Sequence, residues 1–320
     1  MLDRLRTNKN FLVFGRAGLD LYADPPGTII EDAKSFSAAL GGSAANIAVA
    51  LARQGCKAAL VTSVSNDAVG RFTLKALTSY NVDTRFINAV GGEARNSLAV
   101  VETRAENCQS VIYRNDAADF QITEADVDQI DFTGFSAVIL TGTSLALEPS
   151  RSAALKAMRL AKAADLLLVI DIDYRPYSWR SRAEAQALCM EAANMCDIII
   201  GNDVEFAVLA GSQNGLQLAG DLSRRQGRIV VYKRGSDGCT TFTPETSFDT
   251  PVFPVTALKP TGAGDAFMGG LLAGIVAGIP LHQAVRRGAA TAAIVVTSVG
   301  CAPAMPSVEE IQNFMQLASS

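Results

Sequence analysis

Short apolar runs of strand length recur along this chain, and a segment with helical periodicity separates most of them. Continuous apolar runs of this length are typical of strands that are buried on both faces of a parallel sheet. The alternation therefore predicts a doubly wound α/β fold with helices on both sides of the sheet. The expected strands are residues 11–14, 59–64, 137–140, 166–170, 198–200 and 229–232, and the expected helices are residues 43–54, 67–80, 149–164, 181–195, 214–226, 263–277 and 281–298.

Two stretches interrupt this alternation, because residues 18–38 and 97–114 contain strand-like segments without helices between them. We expect them to pair in a small sheet near the carboxyl ends of the core strands, where doubly wound folds bind ligands, and to act as a lid. The chain, residues 1–320, is then a single domain with lid segments at residues 16–38 and 95–119. If the protein forms a homodimer, the lid strands are the expected contact.

Composition excludes several classes of protein. The 320 residues are 49% hydrophobic and 19% charged, which is typical of a globular chain. The net charge is −4 and Lys and Arg occur singly or in pairs, so nucleic acid is not an expected partner. No apolar stretch of signal-peptide length follows the N-terminal residues, and residues 266–279 fall short of the roughly 20 that span a membrane. We therefore expect a cytoplasmic protein with no membrane partner.

A glycine-rich turn, Lys259-Pro260-Thr261-Gly262-Ala263-Gly264-Asp265, lies between a strand-like segment at residues 252–257 and an expected helix. The first N–H groups of a helix lack intrahelical partners, so the amides of Gly262, Ala263 and Gly264 can hold a phosphoryl anion. Asp265 in the first turn is then a candidate catalytic base for a hydroxyl nucleophile. An ordinary charge at a helix start is the alternative. The turn is neither a Walker A loop nor a dinucleotide fingerprint, which disfavours a dehydrogenase.

A second glycine pair, Gly41-Gly42, precedes Ser43 and a helix-like run that ends at Gly55. Ser43 is the expected N-cap of this helix, and Asn46 falls in its first turn. The Asn46 amide can donate to and accept from vicinal hydroxyls, and the two glycines leave room for a sugar. A simple glycine turn that opens a core helix is the alternative.

Together these motifs resemble the PfkB family of ribokinase-like carbohydrate kinases, and the resemblance extends over essentially the whole chain. A further segment, Asn202-Asp203-Val204-Glu205, is similar to the N-x-x-E motif of the family. The resemblance implies a three-layer α/β/α core with a mostly parallel central sheet and a small β-sheet lid. It also implies an ATP-dependent sugar kinase, with Mg²⁺ bound through ordered water near Asn202 and Glu205. Outside that resemblance, Asn202 is a good helix cap.

The same resemblance implies roles for residues of both substrate sites. Asp20 matches an early Asp of the family that binds sugar hydroxyls, although a turn carboxylate is the structural alternative. The residues that match nucleotide-binding positions of the family are Lys233, Gly235, Gly238, Gly262 and Gly264. For the segment after Tyr232, which contains the first three of these residues, a simple β-turn is the structural alternative.

Two arginines indicate an acidic substrate. Arg114 and Arg175 lie in segments that resemble the Y-R and D-x-N-x-R elements of the family branch that acts on keto-deoxy sugar acids. A guanidinium group can bind a carboxylate through two parallel hydrogen bonds, so the resemblance implies that both arginines bind the substrate carboxylate. Structural salt bridges, for example with Asp119 or Asp171, are the alternative.

The resemblance implies transfer of the ATP γ-phosphate to the 6-hydroxyl of 5-dehydro-2-deoxy-D-gluconate, a compound of inositol catabolism. The alternatives are 2-keto-3-deoxygluconate, a neutral sugar such as ribose or fructose, and a non-catalytic sugar-binding relative. One position departs from the family pattern. Many ribokinase-like enzymes use an Asp six residues before the catalytic Asp to help bind a monovalent cation, and this chain has Lys259 there. We expect the Lys259 ammonium to replace that cation, so that K⁺ is not required.

Overall fold

The computed structural model describes Leu2, Leu5 and residues 8–318, so the other residues of the predicted 1–320 domain lie outside the described part of the chain. The strands of the described part are β1 Asn10–Phe14, β2 Gly18–Asp24, β3 Ser35–Gly41, β4 Lys57–Ser65, β5 Ile87–Val90, β6 Ser97–Val101, β7 Ser110–Tyr113, β8 Ala137–Thr141, β9 Leu167–Asp171, β10 Ile198–Asn202, β11 Ile229–Lys233, β12 Cys239–Phe242 and β13 Ser247–Thr250. Its α-helices are α1 Ser43–Arg53, α2 Ala68–Ser79, α3 Glu124–Asp128, α4 Ser150–Ala163, α5 Arg182–Ala193, α6 Asp203–Leu209, α7 Gly215–Gln226, α8 Ala263–Val276, α9 Leu281–Val296 and α10 Val308–Leu317.

The central sheet has nine strands in the order β13-β12-β11-β10-β9-β8-β1-β4-β5. The strands from β11 to β5 pair in parallel, whereas β12 and β13 form an antiparallel edge. The predicted α/β core with a mostly parallel sheet is therefore confirmed. Every predicted core strand is present, with ends that differ by no more than two residues from those expected.

Alternate residues of each core strand face opposite sides of the sheet, which explains why the runs are apolar throughout. In β1, Phe11 and Val13 pack in one apolar cluster with helices α1 and α8. Leu12 and Phe14 pack in a second cluster with α4 and α5 on the other face. Because both faces are buried, the functional side chains of these strands can only lie at the strand ends.

The second sheet has four strands in the order β3-β2-β6-β7 and comes from the two stretches predicted to lack helices. Strand β2 pairs antiparallel with β3 and parallel with β6, and β6 pairs antiparallel with β7. Only Gly15, Arg16 and Ala17 separate β2 from the end of β1, so this sheet lies beside the carboxyl edge of the core. The predicted small sheet is confirmed. Its movement as a lid, and the division of the chain into one domain with two lid segments, stay predictions.

The interpretation of residues 252–257 as strand-like is wrong. This segment pairs with no strand in the described part of the chain. Phe253 instead packs edge-on against Phe314 of α10, with 5.3 Å between the ring centroids. The apolar residues here cover helices instead of extending the sheet, and a short apolar run does not distinguish these two environments.

Helices α1 and α8 cross in close contact on one face of the central sheet. A Cβ atom placed on Gly269 would overlap the Cβ atom of Ala50, so glycine at this position allows the separation that the helices have. Gly269 lies about one helical turn after Asp265, and Ala50 lies about one turn after Asn46. The contact therefore brings the first turns of both helices together at the carboxyl edge of the sheet.

We expect Gly269→Ala to lower the free energy of unfolding by about 1–3 kcal/mol, because the added methyl group forces α1 and α8 apart. Gly91→Ala is the matched control, since no atom lies within 4 Å of a Cβ placed on Gly91. Urea unfolding followed by circular dichroism measures both variants. Equal stability of the two variants would contradict the close packing at Gly269.

Candidate active site

A cavity of about 480 Å³ lies between the small sheet and the carboxyl ends of the core strands. It brings together most of the residues that the sequence singled out. Three of them, Gly41, Ala263 and Gly238, do not line the cavity wall. Those that do are Asp20, Gly42, Asn46, Arg114, Arg175, Asn202, Glu205, Lys233, Gly235, Gly262, Gly264 and Asp265.

The glycine-rich turn opens helix α8, as the sequence predicts. Gly262 is the capping residue, with a φ of +85° that glycine adopts readily, and no side chain caps the helix. The first N–H groups of a helix have no carbonyl of their own helix to bind, so this turn can hold an anion. A Cβ atom on Gly264 would lie 3.1 Å from Nζ of Lys233, which places an ammonium group beside the same turn.

Asp265 lies in the first turn of α8, and its Oδ2 accepts a hydrogen bond of 2.8 Å from Nδ2 of Asn46. Burial raises the pKa of Asp265 to about 7, and the negative charges of Asp173 and Asp171 act in the same direction, whereas the Asn46 hydrogen bond opposes them. A carboxyl group with a pKa near 7 is well matched to accept a proton at neutral pH. Asp265 therefore has the protonation property that a general base needs.

Asp20 projects from β2 and packs against the glycine pair. A Cβ atom on Gly41 would overlap the Asp20 carboxylate, so Gly41 leaves room for this side chain without lining the cavity itself. Burial raises the pKa of Asp20, while the positive charge of Arg16 and a hydrogen bond from Tyr22 lower it. Oδ1 of Asp20 has no hydrogen-bond partner within the described residues, so it can accept a hydrogen bond from a ligand hydroxyl.

The interpretation of Ser43 as the N-cap of α1 is wrong. The helix begins at Ser43, and Gly42, with a φ of +99°, is the capping residue. Oγ of Ser43 instead donates a hydrogen bond of 2.7 Å to Oδ2 of Asp173, which also accepts one of 3.1 Å from Thr143. Oγ of Ser43 therefore binds the buried carboxylate of Asp173, which follows strand β9, and does not cap a backbone N–H of its own helix. This bond ties the start of α1 to the loop after β9.

Arg114 and Arg175 both line the cavity, and both already have a carboxylate partner. Nε and Nη2 of Arg114 donate to Oδ2 of Asp119 at 2.9 and 2.5 Å, and this ion pair is buried. Nη2 of Arg175 lies 2.8 Å from Oδ1 of Asp173, and 45% of the Arg175 side chain is exposed. The structure thus contains the salt bridge expected for Arg114 and pairs Arg175 with Asp173 in place of Asp171. A guanidinium group has N–H groups to spare after one salt bridge, so substrate binding by both residues stays a prediction.

Asn202 and Glu205 form a capping box at the start of α6, with reciprocal hydrogen bonds of 2.9 and 2.7 Å. Glu205 still reaches the cavity, where burial raises its pKa to about 7 against the lowering effect of Lys233. Oδ1 of Asp171, nearby, is buried without a hydrogen-bond partner in the described structure. The described residues contain no cluster of three or more His, Cys, Asp or Glu placed to hold a metal ion. The carboxyl groups of Glu205 and Asp171 fit Mg²⁺, which keeps several of its waters and binds substrate phosphates.

Lys259 is fully buried behind the glycine-rich turn. Its Nζ donates hydrogen bonds of 2.6 Å to the carbonyl oxygen of Thr261 and 3.4 Å to that of Val295. Burial lowers the pKa of Lys259, whereas the negative charges of neighbours that include Asp265 raise it. The ammonium group is therefore held among carbonyl oxygens, which are also suitable ligands for a monovalent cation.

Sequence reasoning missed several residues that line the cavity, among them Arg16, Thr143, Asp173 and Tyr177. Asp173 carried a signal, since it occupies the Asn position of the D-x-N-x-R pattern and so adds a charge to the site. Its backbone has a φ of +40°, which is uncommon for a residue with a side chain. The others carried no signal, because their neighbours in the site are distant in sequence.

Residues 8–308 match the family model described as pfkB family carbohydrate kinase, and the chain belongs to this family. A 5-dehydro-2-deoxygluconokinase from Photobacterium profundum is 36% identical, over 95% of this chain and 94% of that protein. A double mutant of fructokinase from Vibrio cholerae O395, with fructose, ADP and potassium ion bound, aligns with a TM-score of 0.85 and 27% identity over 95% of this chain and 97% of its own. A fructokinase from Xylella fastidiosa with bound ATP aligns with a TM-score of 0.85 and 25% identity over 98% of this chain and 100% of its own.

These matches confirm the predicted family, the ribokinase-like fold and the class of enzyme, a sugar kinase. Among the described helices, none combines the length and the apolar character that a membrane-spanning helix requires. The cytoplasmic location, the absence of a nucleic-acid partner and a homodimer formed through the lid stay predictions.

We expect Asp265→Asn to stabilise the free protein clearly more at pH 8 than at pH 5. The pKa of Asp265 is raised from 3.8 to about 7 in the folded state, so the unfolded chain loses this proton at lower pH. Stability contributed by the neutral carboxyl group is therefore lost as the pH rises from about 4 to above 7. Because asparagine carries no charge at any of these pH values, the variant does not lose this stability as the pH rises.

Thermal unfolding of the ligand-free protein at both pH values measures this effect. Glu106→Gln, at an exposed position, is the control for loss of one carboxylate, and its effect on Tm should be similar at the two pH values. An Asp265→Asn variant whose gain in Tm is the same at pH 5 and pH 8 would argue against the raised pKa.

Proposed function

We propose that this protein transfers the γ-phosphate of ATP to the 6-hydroxyl of 5-dehydro-2-deoxy-D-gluconate, as a kinase of inositol catabolism. The observation that carries the proposal is the position of Asp265, at the start of α8 in a cavity that arginine side chains also line. A base and an anion-binding turn suit phosphoryl transfer, and the arginines favour an acidic sugar over a neutral one. The name of the Photobacterium profundum relative supports the same substrate.

In the proposed reaction, the substrate hydroxyl oxygen attacks the γ-phosphorus of ATP, and the bond from that phosphorus to the β–γ bridging oxygen breaks. The proton of the hydroxyl group passes to the carboxylate of Asp265. Negative charge on the transferring phosphoryl group is stabilised by the amides of Gly262, Ala263 and Gly264. The Lys233 ammonium, next to Gly264, adds a positive charge at this end of the cavity.

The nucleotide side of the proposed site includes Lys233 and Gly235, which line the cavity, and Gly238, whose φ of +80° shapes the turn behind them. Asn202 and Glu205 would hold the waters of Mg²⁺, an assignment supported by the position of Glu205 in the cavity wall. When bound there, the ion would offset the negative charge of the phosphate oxygens. ATP bound to the Xylella fastidiosa fructokinase supports ATP as the phosphoryl donor.

The sugar side of the proposed site is formed by Asp20 and Asn46, with Gly41 leaving room for the Asp20 carboxylate and Gly42 lining the cavity. Oδ1 of Asp20 and Oδ1 of Asn46 are both buried without hydrogen-bond partners in the described structure. Buried acceptors of this kind are normally satisfied, so a ligand with hydroxyl donors is their natural complement. Arg114 and Arg175 donate their remaining N–H groups to the substrate carboxylate.

A coupled ADP-release assay with several acceptors tests this function. We expect the highest kcat/KM with 5-dehydro-2-deoxy-D-gluconate, followed by 2-keto-3-deoxygluconate, with little turnover of ribose, fructose or adenosine. Asp265→Asn should lower kcat by about 10²–10⁴-fold, because the hydroxyl proton loses its acceptor, while calorimetric binding of the sugar acid is retained. Preferred turnover of a neutral sugar would rule out the substrate, and wild-type kcat in Asp265→Asn would rule out the base.

We also propose that the Lys259 ammonium takes the place of a bound monovalent cation behind the anion-binding turn. Potassium was bound to the double mutant of the Vibrio cholerae fructokinase, which shows that a protein of this fold can bind the ion. In this chain, the hydrogen bonds of Lys259 to the Thr261 and Val295 carbonyls support a fixed charge in that role. A fixed ammonium also removes the need to recruit an ion from solution.

The rate of the enzyme should therefore be the same within about twofold in equal concentrations of K⁺, Na⁺ and tetramethylammonium, because Lys259 supplies the positive charge itself. Lys259→Met, which keeps an unbranched side chain without the charge, should lower kcat. Steady-state assays at constant ionic strength measure both effects. Strong stimulation of the wild-type enzyme by K⁺ over Na⁺, or an unchanged kcat in Lys259→Met, would refute the replacement.

A further inference from the structure

Three arginines line the cavity, and they differ in how their charge is already used. Arg114 is held by Asp119 and lies over the ring of Phe120, 4.0 Å from its centroid. Arg175 is held by Asp173. Each of these positive charges is offset by a carboxylate of the protein before any ligand binds.

Arg16 has no such partner. Its guanidinium donates one hydrogen bond, of 3.2 Å, to the hydroxyl of Ser97, and within the described residues no carboxylate lies within ion-pair distance of it. Its positive charge lowers the pKa of both Asp20 and Asp173, so the guanidinium is close to the cavity these residues line. A half-buried arginine without a counterion is suited to binding an anion.

The position of Arg16 is fixed by its backbone. Its carbonyl oxygen accepts a hydrogen bond of 3.2 Å from the N–H of Ala45 in the first turn of α1. A Cβ atom on Gly42 would overlap the same carbonyl, so Arg16 packs directly against the glycine turn of the sugar site. Ser97, which binds the guanidinium, is the first residue of β6 in the small sheet. Arg16 therefore connects the sugar site with the lid.

The sheet order separates Arg16 from the nucleotide side. Arg16 follows β1 and Lys233 ends β11, and strands β8, β9 and β10 lie between these two. With neighbouring strands about 4.8 Å apart, the two strand ends are roughly 19 Å from each other. This separation favours a group of the sugar substrate, and not a phosphate of ATP, as the anion that Arg16 binds.

We propose that Arg16 binds the carboxylate of the acidic sugar substrate and is the residue that selects an acid over a neutral sugar. This inference rests on the proposed function. Arg16 supplies the charge that offsets the incoming carboxylate, while Arg114 and Arg175 contribute oriented N–H groups whose charge is already compensated. The substrate then lies with its carboxylate towards the lid junction and its reacting hydroxyl towards Asp265.

The test compares Arg16→Gln with wild type on two substrates, 5-dehydro-2-deoxy-D-gluconate and its neutral primary amide. We expect kcat/KM for the acid to fall about 100-fold, since a desolvated charge contact is lost, and kcat/KM for the amide to change less than threefold. The KM for ATP should stay within twofold of wild type. Arg71→Gln, on the exposed surface of α2, is the matched control and should leave all three values unchanged.

Equal losses on the acid and the amide, or a rise in the KM for ATP as large as that for the acid, would overturn the assignment. Arg16→Lys covers the case in which Arg16→Gln fails to fold: it keeps the charge without the bidentate geometry, and a selective loss of about 10-fold on the acid is expected.

Calorimetry with a non-hydrolysable ATP analogue separates this inference from the proposed function. Tight binding of the acid by wild type and weak binding by Arg16→Gln, without turnover in either protein, would support Arg16 and refute the kinase assignment. Failure of wild type to bind the acid at all would refute both.

Discussion

The contact between Ala50 and Gly269 is the constraint on which the geometry of the site depends. Each of the two helices begins after a glycine with positive φ, Gly42 in one case and Gly262 in the other. Asn46 and Asp265 both lie about one turn before the contact, so the crossing sets the 2.8 Å hydrogen bond between them. The same helix starts carry the two glycine turns. One packing contact therefore aligns the Asn46 amide, the proposed base Asp265 and the proposed anion-binding turn.

Burial shifts the pKa values of the ionisable groups in the site and also adds a free-energy cost to folding. Asp265 and Glu205 have pKa values of about 7 because the cavity removes them from water while other carboxylates stand nearby. Lys233 and Lys259 lie close enough to lower the energy of the negative charges. A buried carboxylate that is only partly compensated is a poor structural element but a suitable proton acceptor. The site is thus the place where function and stability compete most directly in this fold.

The core could be predicted from the sequence because its signal is local: a run such as residues 11–14 is apolar throughout only when both faces are covered. The glycine turns could be predicted for the same reason. The two predictions that were wrong, for Ser43 and for residues 252–257, share a different cause. Ser43 bonds to Asp173 instead of capping its own helix, and Phe253 packs on Phe314 instead of in a sheet. Such partners are brought in by tertiary structure, and a single sequence does not contain them in readable form.

The charges of the cavity are arranged unevenly, and this bears on the choice of substrate. Three cations of the wall, Arg114, Arg175 and Lys233, form ion pairs with carboxylates of the protein, whereas Arg16, near the small sheet, has no carboxylate of the described residues within ion-pair distance. Of the carboxyl groups with raised pKa values, Asp265 stands at the anion turn and Glu205 in the proposed metal environment. An acidic sugar matches this polarity, because its carboxylate and its reacting hydroxyl need opposite surroundings. A neutral sugar would leave the positive end without a partner in a partly buried site, which is a physical reason for the enzyme to discriminate against it.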